Sequence, residues 1–298
     1  MEMYPLSLAD EHSFYFKTFV KSLVQKFEPQ QVFCFAKKSL LEQSNGCFID
    51  YKTDHSSNYC LLIVTASATR IDHEIQEFAN FHYKHGVITI LCHGKETILE
   101  AIKANNRFFI TVYNTGYLLY SHDGMTQPDL PVRFIPTQAG IKAKKQLRHR
   151  MPLVEGFLTG SHQCLVNQQY NVCTFLLHQA VEQCCIVLIR VHIAYRSEIH
   201  NLKRLLNLCN CFSNKPFKML RSGNAEDERL FEILIKSYSE ARYGDHFSVE
   251  FEDAQHLYDR ITDFVDLAKS MCKEKIQKLE NEASLYKRIA QESEAIHG

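Results

Sequence analysis

Along the first 120 residues, short apolar runs alternate with amphipathic ones. The runs QVFCFA (31–36), GCFIDY (46–51), YCLLIVTA (59–66) and GVITILC (86–92) are β-rich and bounded by turn residues, and they predict strands. GYLLYS (116–121) predicts a final strand. Between the third and fourth runs, Ile71, Ile75, Phe78 and Phe81 recur at helical spacing across residues 71–84, and residues 96–105 repeat the pattern. A further helix is predicted over 11–27. Together these elements imply a small α/β domain of four or five strands over residues 1–122.

Residues 123–136 (DGMTQPDLPVRFIP) hold three prolines and one glycine, which marks 123–137 as a linker. Beyond it no strand pattern recurs. Residues 138–150, 154–195, 199–212, 225–242 and 250–290 read as helix, with breaks at SNKPF (213–217), RSGN (221–224) and YGDHF (243–247). Pro152 is expected to interrupt or kink the first of these helices, because it lacks an amide hydrogen and its ring crowds the preceding turn. The stretch 138–298 is therefore expected to be an all-α bundle with a charged C-terminal helix. The predicted fold class is α+β: an α/β domain followed by a helical bundle.

At 298 residues the chain suits two domains rather than one. Lys plus Arg equals Asp plus Glu at 34 each, so any nucleic-acid surface has to come from local clustering. The longest uninterrupted apolar runs, such as 60–64 and 184–189, are far shorter than the ~20 residues of a membrane helix. No secretory leader pattern is present, and the expectation is a cytoplasmic protein with no membrane partner. The 11 cysteines include no C-x-x-C pair. Most sit among apolar neighbours, where they act as small hydrophobes in a reduced compartment. No metal site and no cofactor is expected.

Three stretches carry a resemblance to the HEPN family of helical bundles. FLTGSHQCLVNQQYNVCTFLLHQAVEQCCIVLI (157–189) resembles the first helix pair, whose second helix carries an HQA.E signature. EIHNLKRLLNLC (198–209) resembles the H-[DN]-L..L stretch, and residues 237–268 resemble the end of the bundle, with its ARY motif. The resemblance covers most of residues 138–270. In that family a bundle often accompanies a minimal nucleotidyltransferase domain. NYCLLIVT (58–65) and NRFFITVYNTGYLLY (106–120) are similar to parts of such a domain.

The departures bear on chemistry. An active nucleotidyltransferase needs a Gly-Ser turn for the nucleotide phosphates and paired carboxylates for magnesium. At the turn position this chain reads CFAKKSL (34–40), and before the LLIV strand it reads Ser57-Asn58-Tyr59-Cys60. Asp50 and Asp54 lie nearby, away from the required spacing. The resemblance thus implies a degenerate, inactive domain. Ribonuclease members of the HEPN family carry R-x(4–6)-H. Here the nearest pairs are Arg196 with His200 and Arg242 with His246, each with three residues between. The standard motif is absent, which favours a branch that binds nucleotides or polyanions, or serves as an adaptor.

Four residues are candidates for a nucleotide or phosphate pocket: His178, Glu182, His200 and Arg242. His178 and Glu182 share a helix face. The plainer reading makes them a buried polar pair that satisfies itself and fixes helix register. His200 opens a helix beside Asn201, where capping is the plain role. Arg242, next to Tyr243, suits a bidentate grip on phosphate with a ring for stacking; its plainer role is a salt bridge, for example to Glu182. The only dense basic run, KAKKQLRHR (142–150), supplies Lys142, Lys144, Lys145, Arg148 and Arg150 as a candidate polyanion surface. The plainer alternative is a solvated helix face.

The sequence therefore points to a non-catalytic protein that binds a nucleotide or RNA and forms a homodimer through its bundle. Two alternatives stay open. One is a metal-independent, toxin-like ribonuclease using a non-standard Arg/His pair. The other is a protein-interaction adaptor with no ligand.

Overall fold

The computed structural model describes residues 11–46, 49–67, 71–124 and 132–297. They divide into two compact units, Met1–Phe134 and Ile135–Gly298.

The first unit opens with α1 (Glu11–Phe27). Phe16, Phe19, Val20, Leu23 and Val24 recur at helical spacing and are buried. β1 (Gln31–Gly46) and β2 (Ile49–Thr65) form a long antiparallel hairpin, paired from Gln31↔Val64 to Gly46↔Ile49. The short strand predicted at 46–51 is not a separate element, since Gly46 ends β1 and Ile49 begins β2. The polar stretch after Ala36 hid this extension. Backbone pairing in a two-stranded ribbon continues without an apolar face, so no alternation announced it. Asp50 and Asp54 lie in β2, and their side chains fall outside the described residues.

α2 (Asp72–His82) carries the chain from β2 to the parallel strand β3 (Ile88–Gly94), as a parallel pair requires. α3 (Lys95–Lys103) and α4 (Arg107–Thr115) then lead to β4 (Tyr117–Ser121), antiparallel to β1, giving the sheet order β3-β2-β1-β4. Val32, Leu61, Ile63 and Ile90 pack one face against α1 and α2. The buried Gln76 of α2 spans the edge of β3: its amide nitrogen donates to the Ile88 carbonyl at 2.7 Å, and its oxygen accepts from Ile90 N at 2.9 Å. An edge strand that would otherwise present open backbone groups is thereby covered.

The second unit is helical. A 3-10 turn (Pro136–Gln138) leads into α5 (Ala139–Val166), followed by α6 (Tyr170–Ile193), α7 (Leu202–Cys209), α8 (Lys215–Leu220), α9 (Ala225–Tyr243) and α10 (Phe251–His297). α5 runs unbroken through Pro152, contrary to an interruption there. Pro152 is exposed, so water can serve the carbonyl one turn back that loses its amide partner. The break comes instead at 167–169, inside the stretch 154–195 that reads as helix and where the resemblance implies a helix pair. Gln169 N bonds the Cys164 carbonyl and Gln168 N bonds the Leu165 carbonyl, while Gln168 adopts φ +60°. This is a left-handed helix stop of the kind glycine usually makes, and glutamine gave no signal of it.

α6 is the core helix. Its Cys173, Leu177, Val181, Cys184, Leu188 and Val191 are buried, and it packs against α5, α7, α9 and α10. By length and composition α6 is apolar enough to cross a membrane, yet most of its apolar stretch is buried within the bundle. Burial raises the thiols of Cys173 and Cys272 to about 12, so both pack as neutral hydrophobes.

Candidate functional site

α6 places Phe175, His178, Glu182 and Arg190 along one side, since steps of three and four residues return to the same face. His178 and Glu182 are 2% and 3% exposed. They do not satisfy each other. Gln179 Nε2 donates to His178 Nδ1 at 3.2 Å, and the imidazole ring tilts against Tyr238 with centroids 5.0 Å apart. Burial, with a smaller push from Arg242, lowers the His178 pKa to about 4. The ring is neutral at physiological pH, which suits an Nδ1 that accepts.

Glu182 turns to His200, whose Nδ1 lies 3.0 Å from Oε1. The second carboxylate oxygen, Oε2, is buried with no hydrogen-bond partner. His200 does not cap a helix. Asn201 is the N-cap of α7, its Oδ1 accepting from Arg204 N at 3.0 Å. That leaves the His200 side chain, 67% exposed, with one edge on the carboxylate and the other toward solvent.

Three arginines of this region act on one another electrostatically. Arg150 of α5 donates to the Gln183 side chain, next to Glu182, and its Nε is buried without a partner. Arg190 lies two turns along α6 from Gln183. Arg196 follows the end of α6, where Ala194 adopts φ +61° and turns the chain. Its side chain is 78% exposed and only loosely engages Glu198, at 3.8 Å. Burial, then Arg196, lowers the affinity of both Arg150 and Arg190 for their protons, and Arg150 adds to the push on Arg190. Glu182 is the one carboxylate that offsets this for Arg150.

Three other arginines of the bundle show the contrast. Arg221 is paired with Glu228, Arg229 with Glu226 and Asp253, and Arg260 with Asp227. Among the described residues neither Arg150 nor Arg190 has a carboxylate within ion-pair distance. The cluster is short of negative charge, and an anionic ligand would supply it.

Arg242 forms no salt bridge to Glu182. Its Nε donates to the Tyr238 carbonyl at 2.6 Å, and its guanidinium lies 4.4, 4.9 and 5.5 Å from the rings of Tyr238, Tyr243 and Phe175. Arg242 and Tyr243 are exposed. The four pocket candidates thus fall into two neighbouring groups on α6: His178 with Arg242, and Glu182 with His200.

The basic run of α5 also divides. Lys144, Lys145, Arg148 and His149 line a surface cavity of about 550 Å³ with Ile141 and Glu280. Lys144 is held by Glu280 at 3.4 Å, leaving Lys145 and Arg148 to face it. Lys142 is exposed outside that lining, and Arg150 turns inward to Gln183. Arg150 is thus set apart from the rest of the run, and Arg190, which interacts with it electrostatically, was not among the sequence candidates. The signal available was an arginine directly after the apolar run Cys184–Ile189 of α6.

In the first unit, Cys34–Leu40 runs as β-strand with a bulge between Cys34 and Ala36, where a phosphate-binding turn would be needed. Asn58 is occupied by the Val87 amide at 3.1 Å, and Tyr59 stacks on Phe16 in the core with centroids 3.7 Å apart. Both positions serve packing. Among the described residues no group of three His, Cys, Asp or Glu side chains is placed to hold a metal ion.

A family model described as the HEPN domain matches residues 155–271, from the middle of α5 into α10. This region of the chain is similar to HEPN domains, and the match leaves the sheet unit uncovered. No curated protein matches the chain.

Proposed function

We propose that the helical unit binds RNA or a nucleotide by its phosphate, at the arginine cluster around Glu182. One observation carries the reading: Arg150 and Arg190 are partly buried with no carboxylate at ion-pair distance among the described residues, and Arg196, loosely held by Glu198, repels both. Guanidinium forks match phosphate oxygens, and a bound phosphate would relieve the repulsion among them. Glu182 and His200 hold the floor of the site. The α5 surface of Lys145 and Arg148 extends the attraction to a longer polyanion. The sheet unit belongs to this reading as a degenerate nucleotidyltransferase-like domain without transfer activity, supported by the bulged strand that occupies 34–40 in place of a turn. Homodimerisation through the bundle belongs to it too, supported by the exposed Leu153, Val166 and Val172 on α5 and α6.

A second reading is metal-independent RNA cleavage. The observation favouring it is the orientation of His200. Its Nδ1 is fixed on Glu182 while the side chain is 67% exposed, the arrangement a proton-transferring imidazole needs.

End-labelled RNA incubated with the protein at low salt without metal, run on native and denaturing gels, tests both. The expected result is a shift without cleavage that weakens steeply with salt. Arg196→Gln is expected to weaken it, and alanine at Lys144, Lys145 and Arg148 to flatten the salt dependence. Cleavage abolished by His200→Ala would replace the first reading by the second. Neither shift nor cleavage would reject RNA in both readings and leave a small nucleotide, or a ligand-free adaptor.

A further inference from the structure

The start of α6 borders a second cavity, about 18 Å along the helix from Glu182 at 1.5 Å per residue. It encloses about 290 Å³ between the end of α5, the 167–169 turn and the first turns of α10. Two ring pairs form its walls. His162 and Tyr258 have centroids 5.4 Å apart, and Tyr170 and Phe251 have centroids 5.8 Å apart. No Asp, Glu, Lys or Arg lines it.

Its polar atoms belong to side-chain amides, hydroxyls and one imidazole. Gln255 Nε2 donates to Asp259 at 3.0 Å, which leaves its carbonyl oxygen free of that bond. The Gln168 amide, the His162 imidazole and the hydroxyls of Tyr170 and Tyr258 have no hydrogen-bond partner among the described residues. Gln168 reaches the cavity from a residue with φ +60°, a conformation that a glutamine adopts at a cost and a glycine does not.

We infer that this cavity binds a nucleobase. Aromatic faces attract the flat ring, and neutral amide and hydroxyl groups meet its edge donors and acceptors. The absence of lining charge gives no hold on phosphate. The volume lies at the small end of ligand sites, enough for one base and not for two. The inference stands apart from the arginine cluster, because an uncharged nucleoside has no phosphate to offer it.

The test uses the full-length protein with adenosine, guanosine, cytidine and uridine, followed by ligand-observed NMR and titration calorimetry. At least one nucleoside is expected to bind. Phe251→Leu, at a residue 47% exposed, is expected to weaken binding about tenfold. Gln168→Gly is expected to weaken it as well, with thermal stability unchanged or raised, so that unfolding cannot account for the loss. Arg190→Met should leave it unchanged. A single-stranded oligonucleotide that binds more tightly than the nucleosides, and loses affinity in Phe251→Leu, would assign the base to RNA. A nucleoside that binds more tightly than the oligonucleotide would assign it to a free small ligand. No nucleoside binding, or binding indifferent to both cavity variants, would overturn the inference.

Discussion

His200 Nδ1 lies 3.0 Å from Oε1 of Glu182, across the 18 residues that separate them in sequence. The carboxylate is buried and the imidazole is mostly exposed, so the pair joins the core of α6 to the surface just ahead of α7. Its other carboxylate oxygen stays unbonded while three arginines crowd the same region. A helix core that carries more cation than it can pair has sacrificed stability for that site.

Replacing Arg190 by Met should therefore stabilise the protein by about 1 kcal/mol, since it removes a partly buried guanidinium and keeps the side-chain volume. The gain should shrink as salt screens the repulsion. RNA affinity should fall in the same variant. Urea denaturation at low and high salt, paired with a binding assay, checks this. A destabilised Arg190→Met would mean that the guanidinium has a stabilising partner.

His178 sets a pH dependence. Its pKa falls from 6.5 to about 4 on folding, because burial disfavours the imidazolium. Between those values the unfolded chain takes up a proton that the folded protein refuses. Stability is full above pH 6.5 and declines as pH falls toward 4, by roughly 3 kcal/mol at most from this residue. Comparing pH–stability profiles of the wild type and His178→Phe isolates that share. Identical slopes below pH 6.5 would show that His178 does not contribute.

Pro152 interrupts the hydrogen bonding of α5 without ending it. Pro152→Ala restores one amide donor at an exposed position, and the melting temperature should rise, corresponding to about 1 kcal/mol. A lower melting temperature would show that the proline shapes α5 in a way the bundle requires.

Some of this architecture was legible in the residues themselves. The β-rich run at 31–36 lies within β1, and those at 59–66 and 86–92 overlap β2 and β3, because apolar residues in short β-branched stretches need a sheet to bury them. Helical periodicity located α1, α2 and α9 for the corresponding reason. The HQA.E stretch marked α6 as the heart of a HEPN-like bundle, and the match over 155–271 agrees. Other features depended on interactions that have no local pattern. The hairpin's polar extension is held by cross-strand backbone bonds, and the stop at Gln168 by two main-chain amides. Which polar groups meet was decided by packing alone. Residues 150, 190, 196 and 200 come from two helices and a loop, and only the way α5, α6 and the turn before α7 close around Glu182 brings them together. Sequence spacing states which residues share a helix face, whereas tertiary packing decides what that face meets.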